Sequence, residues 1–527
     1  MQSPWIKLLP VRAEVPELFA RLRRQPHPFL LESSLRMAGL GRHSIMGGDP
    51  FLVMRSRGER IRLEWGGRVE TMTGHPLAVL KKLLGRYRLR ENAGAPPFVG
   101  GAAGYFSYDL GRMLERLPVL AEDDLHTPDL CLGFYDRAVV VDHSDGAIRV
   151  VSTGFPETEP AAGRRRAVER GEELCHLLTA EPAADELPVD EPRRGVVSDA
   201  PVRGNRHPGE RSAHPAETGR SSADVPAALS AFSLEPLLRC HFDRESYCRV
   251  VQRAREYIAA GDIFQVNLSQ RFSLPRIIEP WPLYRRLRAI SPSPMAAFLD
   301  CGDIQVVSSS MERFLKVSGG RVETRPIKGT RPRGGNAEED AGLRAELWHS
   351  VKDRAELAMI VDMERNDLGR VCRTGSVRVP ELYRLEEYAT VFHLVSTVVG
   401  ELPAGRGVVD LLQAAFPGGS ISGAPKIRAM EIIEELEPVR RGIYTGSIGY
   451  IGFDGRADLN IAIRTLIFKD GWIHLQVGGG ITFDSDPVRE YQETLDKARA
   501  MFGALGLMEG GAFPVADSLP ERPLCAP

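Results

Sequence analysis

Residues 156–230 divide the chain, because they contain too few large apolar residues to build a hydrophobic core. They are rich in Pro, Glu, Ala, Arg, Gly and Ser. A segment of this composition cannot bury enough apolar surface to offset the entropy lost on ordering. We predict a low-complexity linker or disordered insertion, with a short helix over 164–179 near its start. The 527-residue chain must then build its cores from the residues on either side.

The two flanking regions combine helical and strand patterns. Residues 1–155 contain short alternating runs that predict strands and hairpins, including a turn at Asp145-Gly146. Residues 231–508 alternate strand-like segments with amphipathic stretches, and 509–527 are predicted to be a loose tail. The sequence therefore predicts an α+β fold, with sheets packed against helices. Four segments are predicted to be helical: 75–89, 243–261, 350–369 and 486–505.

Composition argues against several classes of protein. The net charge is −2, with 43% hydrophobic and 26% charged residues, so nucleic acid or an anionic membrane is not expected as a partner. The seven cysteines form no CxxC pair, which indicates reduced thiols and no zinc ribbon. The sequence contains no apolar run of the roughly 20 residues that would span a bilayer. We expect a cytoplasmic protein.

The helix predicted after Asp486 begins with a capping signal, since Asp486 can cap it and Pro487 suits its first position. An apolar stripe follows on one face: Val488, Tyr491, Leu495, Ala498 and Phe502. Glu490 and Glu493 lie off this stripe as neighbours three residues apart. They are predicted to project away from the buried face.

Glu356 supplies a carboxylate from another predicted helix, on the face that holds Asp353, Ile360 and Glu364. Carboxylates that converge from separate helices suit Mg²⁺, a hard cation that prefers oxygen ligands. The alternative is a solvated helix face, on which Glu493 pairs with Lys497 four residues later. The pattern alone leaves both interpretations open.

A glycine- and serine-rich loop precedes a further helix in FPGGSISGAPKIRAMEIIEEL, residues 416–436. Pro425 is placed near the helix start, and a buried stripe is predicted from Ile427, Met430, Ile433 and Leu436. The free N–H groups of such a helix start can hold a carboxylate. The loop is not a Walker A motif, because Gly423 is followed by Ala-Pro-Lys. A purely structural loop is the other interpretation.

Four further features interrupt apolar or regular patterns. Arg464 interrupts an apolar strand, which predicts that it faces an anion or a carboxylate. Residues 478–480 are three glycines, which allow either a close approach to a ligand or a bulge. Lys328 precedes a Gly-Thr turn, where burial would make its amine a nucleophile, although most lysines are solvated. His393 breaks an apolar run and could be a ligand-facing or a core histidine.

Together these segments resemble one family, the chorismate-utilising enzymes. The resemblance is dense over 236–507 and thinner through PFLLESS, GRHSIMG and PFVGGAAGYFSYDLGRMLE in the N-terminal region. It implies a large, two-lobed β-sandwich with helices packed outside and an active site in the cleft between its halves. Eight motifs occur in the family order: IFQVNLSQRF, SSSMERF, PIKGTRPRG, KDRAELAMIVDMERNDLGRV, VFHLVSTV, AAFPGGSISGAPKIRAMEIIEELEP, GSIGYIGFDG and YQETLDKARA.

The resemblance also implies roles for individual residues. Glu356 and Glu493 match the carboxylates that hold Mg²⁺, with Glu490 as a further ligand. Glu312 matches the general acid at the departing C4 hydroxyl, although Met311 stands where a proline is usual. The remaining matches concern the substrate. His393 matches a residue beside the ring, and Arg464 and Tyr444 match groups that bind the enolpyruvyl carboxylate, together with Gly479 and Gly480. Thr330 and Gln265 match positions in the binding site.

Lys328 distinguishes two branches of the family. Aminodeoxychorismate synthases resemble this chain in reading PIKGT, whereas anthranilate synthases usually read PIAGT. The resemblance implies that Lys328 adds to C2 of chorismate while Glu312 protonates the C4 hydroxyl, after which ammonia adds at C4. LLESS around Glu32 and Ser33 instead looks like the tryptophan-binding segment of anthranilate synthases, which remain the alternative. A non-catalytic chorismate- or tryptophan-binding subunit is the third hypothesis.

The nitrogen donor is expected to come from a partner protein. The family usually takes ammonia from glutamine through a separate amidotransferase that has a cysteine nucleophile. No GxCxGxQ-type motif occurs in this chain, and Cys131 in DLCLGFYD lacks the upstream glycine. We therefore expect chorismate as substrate and a separate glutamine amidotransferase subunit as the source of ammonia.

Overall fold

The computed structural model describes residues 3–36, 40–92, 94–180, 237–388 and 391–507. The predicted linker beyond residue 180 and the predicted tail, 509–527, lie outside these described residues. The helix predicted over 164–179 is confirmed and begins four residues earlier, at Pro160.

Ten α-helices form within the described ranges. Three of the predicted helices begin at side-chain caps, where Asp243, Ser350 and Asp486 each accept a hydrogen bond from the backbone N–H three residues later. The helices are α1 (Val15–Leu22), α2 (Pro76–Arg86), α3 (Pro160–Thr179), α4 (Arg244–Ala259), α5 (Pro280–Ile290), α6 (Ala337–His349), α7 (Val351–Gly369), α8 (Val408–Ala415), α9 (Lys426–Leu436) and α10 (Pro487–Leu505).

The first antiparallel sheet has twelve strands in the described part of the chain. A short strand, β20 (Gly423–Ala424), pairs with β12 (Gln265–Pro275) beside the main path. The order along the main path is β1 (Trp5–Leu9), β10 (Ala147–Ser152), β9 (Arg137–Asp142), β3 (His43–Gly47), β2 (Phe29–Glu32), β13 (Met295–Asp300), β14 (Ile304–Ser310), β23 (Thr465–Lys469), β24 (Trp472–Ile481), β12 (Gln265–Pro275) and β11 (Arg239–Cys240).

The second antiparallel sheet also has twelve strands among the described residues. Strand β18 (Arg378–Glu387) pairs with β19 (Val391–Glu401) beside the main path. The order is β17 (Ile327–Pro332), β19 (Val391–Glu401), β16 (Arg321–Arg325), β15 (Arg313–Ser318), β22 (Ala457–Asn460), β21 (Ser447–Gly452), β7 (Gly101–Phe106), β8 (Leu130–Tyr135), β4 (Leu52–Arg57), β5 (Arg60–Trp65) and β6 (Arg68–Thr73).

The two sheets face each other across a shared core, and helices cover their outer faces. Tyr105 and Ile448 of the second sheet meet Phe29 and Val306 of the first in this central layer. Helices α4, α5, α9 and α10 pack on the first sheet, and α6 and α7 pack on the second. Each sheet contains strands from before and after the insertion. The predicted α+β sandwich with outer helices is confirmed. No helix in the described ranges is long and apolar enough to cross a membrane.

Three details of the sequence prediction are wrong. Val488 and Ile427, predicted to be buried, are 46% and 45% exposed. Both stand in the first turn of their helices. Arg464 does not interrupt a strand, because it joins β22 in the second sheet to β23 in the first. Its φ of 52° places it in the left-handed region, which suits a sharp change of direction.

Candidate active site

Side chains from two helices and from the connection between the two sheets meet around Lys328 on the edge strand β17. Lys328 lies within electrostatic range of Glu356 on α7, Glu493 and Lys497 on α10, and Glu312 in the connection from β14 to β15. The predicted acid, the predicted amine and two predicted metal ligands are therefore brought together from segments far apart in sequence.

Lys328 is held as a weakly basic amine. Burial lowers its pKa below the ordinary 10.5, and Lys497 adds to this effect, while Glu356 and Glu312 oppose it. Within the described part of the chain, no carboxylate oxygen lies close enough to form an ion pair with its ammonium group. A lysine in this setting carries a larger fraction of neutral amine, the form that can act as a nucleophile.

Glu312 is buried, and it retains its proton to a higher pH than an ordinary glutamate. Only 5% of the residue is exposed, and burial raises its pKa from 4.5 to about 7. A hydrogen bond from the Ser420 hydroxyl and the charge of Lys328 oppose this rise. A carboxyl group that titrates near neutral pH is suited to donate and accept protons during catalysis.

His393 on β19 is a neutral imidazole enclosed by the second sheet. Burial, together with the charge of Arg464, lowers its pKa to about 4. Its Nδ1 lies 2.9 Å from the Thr330 hydroxyl, and its Nε2 lies 3.0 Å from the sulfur of Met311. The structure therefore places His393 next to the residue that precedes Glu312, with both ring nitrogens already in contact with protein atoms.

The three predicted metal ligands have different surroundings. Burial raises the pKa of Glu356 and of Glu490, whereas the neighbouring Lys497 lowers the pKa of Glu493. Lys497 binds Glu493 at 2.6 Å, as the solvated-face interpretation predicts. A methyl group built at Gly479 would lie 3.3 Å from Oε2 of Glu490 and 3.6 Å from Oε1 of Glu493. Both carboxylates therefore lie over the glycine strand.

These carboxylates suit a divalent cation in chemical type, because hard oxygen donors are the ligands that Mg²⁺ prefers. Glu356 and Glu490 each interact electrostatically with Glu493, so the three groups are neighbours. They do not converge on one point: in the described residues, no three acidic, histidine or cysteine side chains are gathered closely enough to hold a metal. Binding an ion would require Glu493 to exchange its contact with Lys497.

Arg464 and Tyr444 lie next to each other, and Arg464 contacts α10. The Arg464 guanidinium donates a hydrogen bond to the carbonyl oxygen of Lys497. Burial lowers the pKa of Arg464, and the nearby Tyr444 and Glu493 oppose this lowering. Tyr444 is 7% exposed. The two residues are therefore adjacent, as the sequence predicts for groups that bind one carboxylate.

Gln265 begins β12 and is 1% exposed. Among the described residues neither atom of its side-chain amide has a hydrogen-bond partner. A methyl group built at Gly480 would lie 2.1 Å from its Nε2. Glycine at 480 therefore makes room for the Gln265 side chain, whose unpaired amide is available to a ligand.

Glu32 and Ser33 lie elsewhere, at a cavity of about 240 Å³ that Tyr450 and Met295 also line. The Glu32 carboxylate accepts hydrogen bonds from Tyr284 at 2.6 Å and Arg288 at 2.8 Å. Its charge is therefore already compensated by protein groups. The structure does not bring this pair of residues into the Lys328 cluster.

Two residues of the cluster were missed by sequence reasoning as functional groups. Lys497, considered only as a partner of Glu493, also donates to the Gly478 carbonyl at 2.9 Å. Ser420 was part of the predicted anion-binding loop, but its hydroxyl binds Glu312. The i,i+4 spacing from Glu493 was the available signal for Lys497, whereas no sequence pattern links Ser420 to Glu312.

Comparisons with known proteins agree on one family. Residues 50–503 match the family described as chorismate binding enzyme. The chain is 40% identical to anthranilate synthase component 1 of Pseudomonas aeruginosa, over 93% of each chain. It is 38% identical to aminodeoxychorismate synthase component 1 of Klebsiella aerogenes, over 96% of this chain and 100% of that one. Anthranilate synthase component I from Streptococcus pneumoniae superposes with a TM-score of 0.69 at 33% identity, covering 89% and 93% of the two chains.

Proposed function

Because the chain belongs to the family of chorismate-binding enzymes, we propose that it aminates chorismate at C4 to give 4-amino-4-deoxychorismate, in the biosynthesis of p-aminobenzoate and folate. Relatives of similar identity carry the names of both aminodeoxychorismate synthase and anthranilate synthase, so overall similarity does not choose between the two reactions. The choice must rest on residues in the site.

The environment of Lys328 is the observation that carries the proposal. Its amine has a lowered pKa and lies near Glu312, a carboxyl group that keeps its proton up to about pH 7. Amination at C4 through a lysine adduct needs a nucleophile and an acid of the enzyme that act on one substrate molecule. Direct attack of ammonia at C2, as in anthranilate formation, needs no lysine.

In the proposed reaction the Lys328 amine forms a bond to C2 of chorismate, and the ring double bonds shift. The C4–O bond breaks as Glu312 delivers its proton, so the hydroxyl leaves as water. Ammonia then adds at C4, the double bonds shift back, and the C2–N bond to Lys328 breaks. The Glu312 carboxylate takes the proton that the incoming nitrogen loses, which returns both residues to their starting states.

Magnesium is part of the proposal. Glu356 and Glu493 would hold the ion, with Glu490 as a further ligand. When bound, Mg²⁺ would neutralise the ring carboxylate of chorismate. Before an ion binds, the Lys352 amine lies 3.8 Å from Glu356 and the Lys497 amine lies 2.6 Å from Glu493, so the ion would replace an ammonium group at each carboxylate.

The remaining contacts would orient the substrate. Arg464 and Tyr444 would bind the enolpyruvyl carboxylate, with backbone N–H groups around Gly479 and Gly480. Gln265 would offer its unpaired amide to the substrate, and Thr330 would fix His393 beside the ring. These positions are supported by three pairs of neighbours: Arg464 with Tyr444, Gln265 with Gly480, and Thr330 with His393.

We propose a separate glutamine amidotransferase subunit as the source of ammonia. Incubation of the protein with chorismate, Mg²⁺ and ammonium, followed by mass spectrometry, tests the proposed activity. We expect 4-amino-4-deoxychorismate, which an added aminodeoxychorismate lyase converts to p-aminobenzoate. Fluorescent anthranilate would instead identify an anthranilate synthase, and no loss of chorismate would indicate a non-catalytic subunit.

The cavity at Glu32 and Ser33 supports a second binding proposal, for tryptophan. Its volume of about 240 Å³ approaches the lower end of small-molecule pockets, about 300 Å³. Arg313 and Asp458 also line it and are joined to each other by an ion pair at 2.9 Å, so charges of both signs lie at its wall. Calorimetric titration with tryptophan tests this role, and a flat titration would reject it.

A further inference from the structure

Glu364 is a buried carboxyl group that the proposed reaction does not use. It lies on α7 about two turns after Glu356 and is 2% exposed. Its Oε2 lies 3.3 Å from the Thr324 hydroxyl on β16. Among the side chains that the structure describes, Glu364 has no ion-pair partner. A buried carboxyl group without a countercharge needs a physical explanation.

The cation near Glu364, Lys426, already binds other acceptors. The Lys426 ammonium, from α9, binds the Asp367 carboxylate and lies 2.9 Å from the carbonyl oxygen of Ala415. Burial raises the pKa of Glu364 to about 8; the charges of Asp367 and Glu312 add to the rise, while Lys426 opposes it. From β16 the contact is the uncharged Thr324. Glu364 is therefore an uncharged carboxylic acid at neutral pH.

The Glu364 carboxyl also lies against the loop that supports Glu312. A methyl group built at Gly419 would lie 3.5 Å from its Oε1. The next residue, Ser420, supplies the hydroxyl that binds Glu312. The Glu364 contact and the hydroxyl that binds the proposed acid therefore lie on adjacent residues of one loop.

We propose that Glu364 is a positioning residue, which as an uncharged acid holds the Ser420 loop behind Glu312 and on ionisation displaces it. A second buried negative charge beside Glu312 would have to recruit water or a cation, because the nearby Lys426 ammonium already binds Asp367 and the Ala415 carbonyl oxygen. The resulting movement would misplace Ser420 and the carboxyl group that it orients. This inference rests on the proposed role of Glu312 as the proton donor.

The test compares kcat/KM for chorismate consumption in wild-type enzyme and in Glu364→Gln, with ammonium as nitrogen donor, from about pH 6 to about pH 9. Glutamine matches the shape of glutamate but cannot ionise. The ratio of variant to wild type should be flat up to about pH 7 and rise to about tenfold by pH 9, because about nine-tenths of Glu364 is then ionised. Taking the ratio cancels the titration of ammonia, which is the same in both reactions.

A matched control is Glu434→Gln, which alters a buried glutamate of α9 that binds Arg112. This control should show a ratio that does not change with pH. If Glu364→Gln fails to fold, Thr324→Val replaces it: removing the hydrogen bond that favours the charged form should move the alkaline loss of activity to higher pH. Infrared titration of the wild type should show a protonated carboxyl band that is lost near pH 8.

A ratio of variant to wild-type activity that does not change with pH would overturn the proposal. A more than tenfold loss of activity in Glu364→Gln at pH 7 would also overturn it. Either result shows that ionisation of Glu364 is not what disables the site. The readout is chorismate consumption, so it applies whether the product is 4-amino-4-deoxychorismate or anthranilate. Failure of the proposed function would appear in product identity, and failure of this inference in the pH dependence of the ratio.

Discussion

Replacing Glu312 by glutamine should lower activity and raise stability at alkaline pH. The carboxyl is buried, and its pKa is raised from 4.5 to about 7. Between these pH values the folded protein keeps a proton that the unfolded chain has lost, so stability falls as the pH rises. Above about pH 7 the full penalty is about 3 kcal/mol, and the glutamine variant avoids it.

The assay for this prediction is urea denaturation of both proteins at about pH 5 and about pH 8. The free energy of unfolding of the variant minus that of the wild type should grow by about 2 to 3 kcal/mol between the two conditions. Chorismate consumption by the variant should fall by roughly 10²- to 10⁴-fold, the usual loss on removing a general acid. A stability difference that does not change with pH, or near-normal activity, would refute the assignment of Glu312 as a buried acid.

Three further changes follow from the same account. Glu356→Gln and Glu493→Gln should each raise the Mg²⁺ concentration needed for half-maximal activity by about tenfold or more. Asp362→Asn, which changes an exposed acid on α7, should leave this concentration unaltered. The same Mg²⁺ requirement in both glutamine variants as in the wild type would reject Glu356 and Glu493 as ligands. Deleting 185–225 should leave activity nearly intact, because the segment is too poor in apolar residues to supply a core, and loss of folding would contradict this. The isolated chain should use ammonium but not glutamine, and turnover with glutamine alone would exclude the need for an amidotransferase partner.

Local patterns were sufficient to predict the elements that carry the site. The cap at Asp486 and the apolar stripe placed α10 correctly, because capping and periodicity are properties of neighbouring residues. The same stripe wrongly included Val488, since periodicity does not show whether a residue in the first turn of a helix is covered by other parts of the fold. Arg464 was misplaced for a related reason: no local pattern reveals that the chain passes between sheets at that residue.

The relationships within the site depend on tertiary structure. Lys328 and Glu356 come from an edge strand and a separate helix, and their proximity is set by how the helix packs on the sheet. Resemblance to a family identified Lys328, Glu312 and the carboxylates as a set. It could not reveal that Glu493 already binds Lys497, or that Ser420 binds Glu312, because these contacts depend on side-chain placement.

Product analysis of wild-type enzyme and Lys328→Ala tests the central claim most directly. Both proteins are incubated with chorismate, Mg²⁺ and ammonium, and the products are separated and identified by mass spectrometry. The wild type should form 4-amino-4-deoxychorismate, and the variant should lose this product by about two orders of magnitude or more, with some nitrogen diverted to C2. Formation of 4-amino-4-deoxychorismate by Lys328→Ala at the wild-type rate, or of anthranilate by the wild type, would contradict the account.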